Sequence, residues 1–151
     1  CILDQDRVLL LAQSTVDQGP VTYGFTAGAH IPLLHTSLGR MLLACLPPEE
    51  AGEAVARADK PRHTEQSLTH PEDITNQVDL ARRQGWSLTD SEFEPGILGL
   101  AVPVSVPGQT PIVVGASVPR GNNPEADTGD LLQGLQLCAA DLRQSKAVDC
   151  L

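Results

Sequence analysis

The chain has 151 residues, of which 41% are hydrophobic and only 3% are aromatic. This length fits one domain, and the hydrophobic fraction is typical of a globular protein with an aliphatic core rather than of a disordered chain. The formal net charge of -9 argues against nucleic-acid binding by this chain alone, because phosphate contacts need a basic patch.

The predicted elements begin with two strands, over residues 6–13 and 19–28, both rich in apolar or β-branched residues. Residues 36–46 predict a helix whose apolar face carries Leu38, Leu42, Cys45 and Leu46. The pair Pro47-Pro48 ends this helix and starts the next one, which has glutamates in its first turn.

A third helix is predicted from residue 69 to residue 84. Thr69 stands three residues before Glu72, which is the pattern of a capping box. Gly85 follows two arginines, as is typical of a helix C-terminus. The apolar stripe of this helix has three members, Ile74, Val78 and Ala81.

Three strands follow, over residues 86–93, 97–106 and 111–119, and the last two are joined by the turn PGQT. A long helix starts at about Asp127, with Leu131, Leu135, Cys138 and Leu142 along one stripe. Consecutive strands on short turns are antiparallel, so the order of elements predicts an α+β fold.

The cysteines and the apolar runs indicate the cellular compartment of the protein. Cysteines stand at positions 1, 45, 138 and 150, without a CxxC pair. Cys45 and Cys138 fall in apolar helical patterns, where a thiol behaves as a small buried hydrophobe. No apolar run approaches the roughly 18 residues that span a bilayer. We therefore expect no signal peptide, no membrane contact and a reducing, cytoplasmic setting.

One stretch, IPLLHTSLGRMLLACLPPEE at residues 31–50, starts a helix with small hydroxyl residues and a glycine. A helix N-terminus carries unsatisfied N–H groups and partial positive charge. If Thr36 or Ser37 caps it, the amides near Ser37, Leu38 and Gly39 can receive an anion. The alternative is an ordinary helix whose Ser or Thr satisfies its own amides, which is routine. The local sequence alone favours this ordinary cap.

The same stretch resembles the signature of the IclR family of bacterial transcriptional regulators. Two later phrases are also similar to that family: LARRQGWSLTDSEFEPGILGLAVPV, and the strand PIVVGASVPRG that follows it. The three phrases lie in order, and the resemblance covers about residues 6–145. It implies that residues 1–151 form a single effector-binding domain with a GAF-like or profilin-like curved antiparallel sheet flanked by helices.

The implied function is that of a ligand sensor. Such a domain binds a small organic acid metabolite and modulates operator binding by the full-length regulator. The N-terminal winged helix-turn-helix of the family is absent from this chain, so DNA contact is expected only through that missing domain. The resemblance also implies a homo-oligomer, a dimer or a tetramer, and no enzymatic activity. No cofactor is expected.

The resemblance implies an effector site between the sheet and the helix that begins near Ser37. A ligand carboxylate is expected at the amides of Ser37, Leu38 and Gly39. Where many relatives carry polar residues, this chain has Thr89 and Gly99, and it keeps one hydroxyl at Ser117 but has Pro119 nearby. Such a pocket suits a larger or more apolar acid. The expected effector-binding residues are Leu33, Ser37, Leu38, Gly39, Thr89, Gly99 and Ser117.

Each polar candidate has a structural alternative. Ser117 and Thr89 also fit ordinary strand positions, and Gly99 fits a bulge or close packing. Asp90 and Glu92 are interpreted as solvated acids rather than as a catalytic pair. Arg120 is interpreted as a surface charge.

The histidines at 30, 35, 63 and 70 lack metal-binding spacing, so no metal site is expected. No nucleophile motif such as GxSxG occurs, so no catalytic residue is assigned. The loss of polar groups keeps an alternative function open, an oligomerisation domain with a degenerate pocket and no effector. A small acyl-transforming enzyme on a similar fold is the third hypothesis.

Overall fold

The computed structural model describes residues 1–14, 25–105 and 108–145. Within these ranges the chain forms six strands and four helices. In chain order they are β1 (Ile2–Asp4), β2 (Arg7–Leu9), β3 (His30–Pro32), α1 (Ser37–Cys45), α2 (Pro48–Arg57), α3 (Pro71–Gln84), β4 (Ser87–Asp90), β5 (Ile97–Pro103), β6 (Val113–Pro119) and α4 (Pro124–Gln144).

The strands form two antiparallel sheets, in the orders β1-β2-β3 and β4-β5-β6. The sheets meet where β1 runs beside the start of β6. The Cys1 amino group donates to the Val113 carbonyl at 2.9 Å, and the Val113 N–H donates back to the Cys1 carbonyl at 3.1 Å. Ile2 and Ile112 form the next antiparallel bridge. The α+β prediction, with helices on a largely antiparallel sheet, is confirmed.

Helices cover both faces of the β4-β5-β6 sheet, so β5 is buried on both sides. Ala101 joins the core cluster formed with α1, α2 and α3. Its neighbours Leu100 and Val102 point to the opposite face and pack with Leu135 and Ala139 of α4. A strand buried on two faces reads as one continuous apolar run, which explains the sequence of β5.

The structure confirms both ends of the first helix and the start of the second. Thr36 is the N-cap of α1, and the helix ends just before the proline pair. Pro48 occupies the first turn of α2, and Glu49 and Glu50 also lie in that turn. Proline lacks the N–H that a first-turn residue leaves unpaired, and the carboxylates meet the positive end of the helix dipole.

The predicted capping box of α3 is wrong. The N-cap residue is His70, and no side chain caps the helix. Pro71 takes the first helical position, so Thr69 lies one residue too far upstream to act as the cap. The predicted C-terminus is confirmed, since Gly85 has a φ of 81° and its N–H donates to the Ala81 carbonyl at 2.9 Å.

The last helix, α4, begins at Pro124, three residues before the predicted start at Asp127. Leu135 and Ala139 are its buried residues, whereas Cys138 is exposed. The prediction that Cys138 is buried is therefore wrong, because residues 135 and 139 share the face that contacts the sheet and residue 138 lies off it. No helix in the described ranges, α4 included, is long and apolar enough to cross a membrane.

Three strand predictions need correction. The predicted strand at 6–13 is limited to β2, Arg7–Leu9. The predicted strand at 19–28 falls largely outside the described residues, and its described end at 25–28 contains a turn, with β3 beginning only at His30. The predicted strand at 86–93 ends early, at Asp90. Ser91 has a φ of 57°, and this left-handed conformation turns the chain out of the sheet.

Candidate ligand site at the start of helix α1

The N-terminus of α1 is capped by one hydroxyl and leaves two amides free. Thr36 Oγ1 donates to the Pro32 carbonyl at 2.7 Å and accepts the Gly39 N–H at 3.2 Å. Among the described residues, the N–H groups of Ser37 and Leu38 have no hydrogen-bond acceptor. Thr36 therefore satisfies the Gly39 amide, as expected of an ordinary cap, and the amides of Ser37 and Leu38 lack an acceptor in the described ranges.

Three hydroxyl side chains surround Gly99 on the sheet below this helix start. Thr89 and Ser117 are the Cα partners of Gly99 on β4 and β6. A Cβ built on Gly99 would lie 2.8 Å from Ser37 Oγ and 2.8 Å from Thr89 Oγ1. The Ser37 side chain therefore lies directly over Gly99. It is held there partly by Ser87, whose hydroxyl donates to the Ser37 carbonyl at 2.6 Å.

Within the described ranges, none of Ser37, Thr89 and Ser117 has a hydrogen-bond partner for its side chain. Ser37 and Thr89 are only 4% and 6% exposed. Ser117 is exposed on the edge strand.

The other expected site residues lie near the cluster or beneath it. Leu38 extends over β6, where a Cβ at Gly115 would lie 2.7 Å from its Cδ2. Leu33 is 3% exposed and belongs to the core cluster. A Cβ at Gly39 would lie 2.7 Å from the Leu33 Cα and closer still to its carbonyl group. Gly39 therefore contributes close packing, and its amide is already bonded.

A buried ion pair beside the site was missed by sequence analysis. Arg40 is 1% exposed, and its guanidinium binds both carboxylate oxygens of Glu92, with Nη1 to Oε1 at 2.6 Å. Arg40 Nε also donates to the Leu34 carbonyl at 2.9 Å. The interpretation of Glu92 as a solvated acid is wrong. The available signal was Arg40 itself, a cation within an apolar helix, which needs an anion when it is buried.

The loop that carries Glu92 is fixed on its other side by two hydroxyls. Ser67 Oγ donates to the Glu92 carbonyl at 2.7 Å, and Thr64 Oγ1 donates to the Ser91 carbonyl at 2.6 Å. The carboxylate of Asp90, at the end of β4, accepts a hydrogen bond from Arg120 Nε at 2.9 Å, and both side chains are about half exposed. Arg120 is thus a surface charge, as expected, and it has a partner.

A row of aromatic rings extends from this loop. The ring of His35 contacts that of His63 at 5.0 Å, and His63 contacts Phe93 at 4.9 Å, both edge to face. Phe93 in turn lies 5.8 Å from Phe25. His35 Nε2 bonds the Leu68 carbonyl at 2.8 Å, which assigns the proton to Nε2. Sequence analysis missed this row, because its four members are far apart in the chain.

Burial lowers the pKa of His35 below its usual 6.5, and the Coulomb effects of His63 and Arg40 act in the same direction. The hydrogen bond to Leu68 and the charge of Glu92 oppose the shift. His35 is therefore neutral in the folded domain at pH 7, where its contribution to stability is fully present. The unfolded state binds more protons as pH falls below about 6.5, so this contribution is lost as pH falls toward the depressed folded pKa.

We expect the free energy of unfolding to fall between pH 7 and pH 5, with a contribution from His35 of at most about 1.4 kcal/mol per pH unit. The variant His35→Gln keeps a donor for the Leu68 carbonyl but does not titrate. Urea unfolding at several pH values checks this, and the free energy of unfolding should fall less steeply between pH 7 and pH 5 in the variant. Equal slopes in the two proteins would show that His35 does not titrate on unfolding.

The site geometry can be compared with known proteins. The family sequence model described as "Bacterial transcriptional regulator IclR C-terminal" matches residues 1–144. The chain belongs to the IclR family. It is also 32% identical over 102 residues to the Pca regulon regulatory protein of Pseudomonas putida. That match covers 68% of this chain but 35% of the relative, so the chain spans about a third of that protein.

Two solved structures of this family carry aromatic acids. The inducer-binding domain of the PobR transcription factor from Acinetobacter, a double mutant in complex with 3-hydroxybenzoic acid, has a TM-score of 0.81 and 26% identity, with 95% of this chain and 85% of that chain covered. An IclR homologue from Microbacterium hydrocarbonoxydans in complex with 4-hydroxybenzoate has a TM-score of 0.78 and 26% identity, with 95% and 59% covered. The family resemblance inferred from the three sequence phrases is confirmed.

Membership of the IclR family also decides the question of catalysis. The family consists of transcriptional regulators, so the chain is a regulatory domain rather than an enzyme. The hypothesis of an acyl-transforming enzyme is discarded. Asp90 and Glu92 serve in ion pairs with Arg120 and Arg40. Across the described ranges, no group of three or more His, Cys, Asp or Glu residues could hold a metal ion.

Two cavities of this IclR domain lie away from the hydroxyl cluster. A cavity of about 130 Å³ lies between α3 and β4, where Leu80, Trp86 and Ser87 are among its walls. A groove of about 400 Å³ lies on the α4 face of the sheet, beside Leu98 and Leu132. The hydroxyl cluster is on the α1 face, so neither cavity is the expected effector site.

Proposed function

We propose that this domain senses a small aromatic carboxylate, preferably a hydroxylated one, and modulates operator binding by a longer regulator that carries an N-terminal winged helix-turn-helix. The observation that carries the proposal is the group of three hydroxyls, Ser37, Thr89 and Ser117, which lie around Gly99 at the start of α1 and have no hydrogen-bond partner among the described residues. Polar groups that converge without partners are what a specific ligand site provides.

The carboxylate is placed at the N-terminus of α1. The free N–H groups of Ser37 and Leu38 are two donors at the positive end of the helix dipole, so the anion needs no buried lysine. Gly39 is left out of this set, because its N–H already donates to Thr36 Oγ1. The expected three-amide site is thereby reduced to two amides, with the Ser37 hydroxyl as a third donor beside them.

The remainder of the ligand is placed over the sheet. The Ser37 hydroxyl lies over Gly99 itself, so the ring is placed beside the three hydroxyls, next to Ser117. Leu38 over Gly115 supplies an apolar wall, and the hydroxyls of Thr89 and Ser117 can pair with a ring hydroxyl. The two family members described with 3-hydroxybenzoic acid and 4-hydroxybenzoate support this ligand class.

The test is calorimetric titration of the domain with 3-hydroxybenzoate, 4-hydroxybenzoate and benzoate. We expect Gly99→Ala to weaken binding at least tenfold, because the added Cβ displaces the Ser37 and Thr89 hydroxyls. We expect Ser117→Ala to weaken a hydroxybenzoate about fivefold and benzoate little, which corresponds to one hydrogen bond of about 1 kcal/mol.

The matched control is Gly129→Ala, the same substitution on α4 at a position where a Cβ meets no atom within 4 Å. It should bind like the parent. Gly99 does not have a positive φ, so alanine is conformationally tolerated there and the fold should persist. If both Gly99→Ala and Ser117→Ala bind a hydroxybenzoate as the parent does, the ligand lies elsewhere.

The alternative is an oligomerisation domain with a degenerate pocket. It predicts that none of the three acids binds, while sedimentation at tens of micromolar shows a stable dimer or tetramer. We propose that the domain is a homo-oligomer in either case, in the cytoplasm, and that it contacts DNA only through the winged helix-turn-helix. The exposed side chain of Leu137 on α4, at 64%, favours an interface on that helix.

A further inference from the structure

The first residue of β4 is a serine whose hydroxyl lies in an apolar environment. Ser87 is 2% exposed, and its Cα partner on β5 is Ala101, a member of the core cluster beneath α1. Alternation along β4 directs Leu88 to the cluster under α4 and leaves Ser87 on the α1 face. A hydroxyl at such a position destabilises the fold unless it forms a hydrogen bond. The partner of Ser87 therefore indicates what the hydroxyl does.

That partner is the main chain at the start of α1. Ser87 Oγ donates to the Ser37 carbonyl at 2.6 Å, although the two residues are 50 positions apart in the chain. Ser37 is the first residue of α1, and in an α-helix its carbonyl also accepts the N–H four residues later, that of Met41. The carbonyl thus has a helical partner without Ser87. The hydroxyl adds a second bond, which comes from the sheet and reaches the peptide group between Ser37 and Leu38.

This peptide group connects the sheet to the candidate ligand site. The Ser37 carbonyl and the Leu38 N–H are the two ends of one planar trans unit, and they point in opposite directions. The Leu38 N–H is one of the two amides at this helix start that lack an acceptor in the described ranges. A hydrogen bond donated to the carbonyl draws electron density away from the N–H of the same unit. The N–H becomes a stronger donor, as in other chains of cooperative hydrogen bonds.

We propose that Ser87 is a positioning residue of the ligand site, whose hydroxyl fixes and polarises the peptide between Ser37 and Leu38 so that the Leu38 N–H binds a carboxylate in preference to a neutral group. This role rests on the proposed function, because it takes the ligand carboxylate to lie at the start of α1. It assigns the charge preference of the site to a residue that acts through the main chain and does not contact the ligand.

The Ser37 N–H, the second amide without an acceptor in the described ranges, lacks this support from the sheet. It belongs to the peptide between Thr36 and Ser37, whose carbonyl accepts the Arg40 N–H at 3.1 Å as an ordinary helical bond. Among the described residues, no side chain donates to the Thr36 carbonyl. The Thr36 hydroxyl satisfies the Gly39 amide and does not act on the other two. Ser87 therefore affects one amide, and its expected effect is that of one hydrogen bond.

The charge of Arg40 does not explain a preference for a carboxylate. Its guanidinium binds both carboxylate oxygens of Glu92, and its Nε donates to the Leu34 carbonyl. Glu92 thus compensates this cation, and a carboxylate at the start of α1 meets neutral donors. Hydrogen bonds to an ionised acceptor are about twice as strong as those between neutral groups. A change in the polarity of the Leu38 N–H should therefore affect an acid more than its amide.

The surroundings of Ser87 permit a matched pair of substitutions. The cavity of about 130 Å³ between α3 and β4 borders this side chain, so a β-branched residue has space there. Threonine and valine have nearly the same shape, and both favour strands. Ser87→Thr keeps the hydroxyl, whereas Ser87→Val puts a methyl group in its place and excludes water from that position. The difference between the two variants isolates the effect of the hydroxyl.

The first measurement needs no ligand. The chemical shifts of a carbonyl carbon and of the amide nitrogen that follows it report the hydrogen bonding of their peptide group. In the ligand-free domain, Ser87→Val should move the Ser37 carbonyl carbon and the Leu38 amide nitrogen upfield. Ser87→Thr should leave both near their positions in the parent. Equal changes in the two variants would show that the hydroxyl does not polarise this peptide, and would overturn the proposed role.

The second measurement is calorimetric titration with 3-hydroxybenzoate and its neutral counterpart, 3-hydroxybenzamide. Ser87→Val should weaken the acid about fivefold and the amide little, so the preference for the acid falls by about that factor. Ser87→Thr should keep the preference of the parent. Ser87→Ala adds no volume, and it should repeat the valine result where valine disturbs the fold. An unchanged preference in both the valine and the alanine variant would overturn the proposed role.

The matched control is Thr64→Val, which removes another buried hydroxyl, away from the start of α1. Thr64 is 8% exposed, and its hydroxyl donates to the Ser91 carbonyl at 2.6 Å. The variant should lower the free energy of unfolding, as the loss of a buried hydrogen bond does, but keep the ratio of acid to amide affinity. A ratio that falls equally in Thr64→Val and Ser87→Val would identify general destabilisation as the cause, and would overturn the positioning role.

Titration of the parent domain separates the role of Ser87 from the proposed function. If neither the acid nor the amide binds the parent, the proposed function fails, and the role of Ser87 in ligand binding fails with it. If the acid binds the parent and Ser87→Val with the same preference over the amide, the proposed function stands and the role of Ser87 fails alone. If the preference falls in Ser87→Val and is kept in Ser87→Thr, both stand.

Discussion

The variant Gly39→Ala is expected to lose about 4 kcal/mol or more of its free energy of unfolding, which is a large part of the stability of a domain this size. A Cβ at this position would lie 2.7 Å from the Leu33 Cα and closer to the Leu33 carbonyl group. These are main-chain atoms and cannot move aside as the end of a side chain can. Either α1 moves away from residues 31–34 or that segment leaves the core, and both expose buried apolar surface.

The control for this prediction is Gly52→Ala, also within a helix. A Cβ at Gly52 meets no atom within 4 Å, so this variant should gain about 0.5–1 kcal/mol from the better helix propensity of alanine. Urea unfolding of parent and variants measures both effects. A Gly39→Ala domain as stable as the parent would show that α1 does not pack against Leu33 as closely as described.

The variant Glu92→Ala is expected to lose about 3–5 kcal/mol of its free energy of unfolding. The reason is that the Arg40 side chain, which is 1% exposed, then lacks its carboxylate partner. Arg40 would keep only its bond to the Leu34 carbonyl. The double variant Arg40→Met with Glu92→Leu removes both charges and should recover much of that loss, since an apolar pair of similar volume needs no desolvation. Urea unfolding of the two variants measures the difference.

The exposed pair Arg57–Asp6 is the matched control. Its side chains are 59% and 42% exposed, and its three hydrogen bonds run between α2 and the turn after β1. Removal of Asp6 should leave the unfolding midpoint within error of the parent, because water replaces the lost contact. A Glu92→Ala effect no larger than that of Asp6→Ala would show that Arg40 is hydrated and that the buried ion pair adds little.

The first helices show which helix ends can be predicted from local sequence. The span of α1 followed from the hydroxyl residue before it and the proline pair after it, and both are local signals. The same holds for the glycine that ends α3. The capping box failed for a local reason as well, since Pro71 fixes the first helical position one residue after His70.

The candidate site was predicted only in part. The resemblance to the family located Ser37, Thr89, Gly99 and Ser117, and the structure brings these four together. Sequence could not show that Leu33 belongs to the core, or that the Gly39 amide is bonded to Thr36. Their positions depend on how α1 packs against the segment before it, which no periodicity reports.

The sequence by itself determined the class of fold, the limits of most helices and the family, because these follow from periodicity, end signals and short phrases read along the chain. Only the tertiary structure decided which charges are buried, which hydroxyls converge and which strands join the two sheets. Arg40 and Glu92 are 52 residues apart, and Cys1 and Val113 are 112 apart. Contacts at such separations are set by the packing of α1 on the sheet and by strand register, and each needs the whole domain to form.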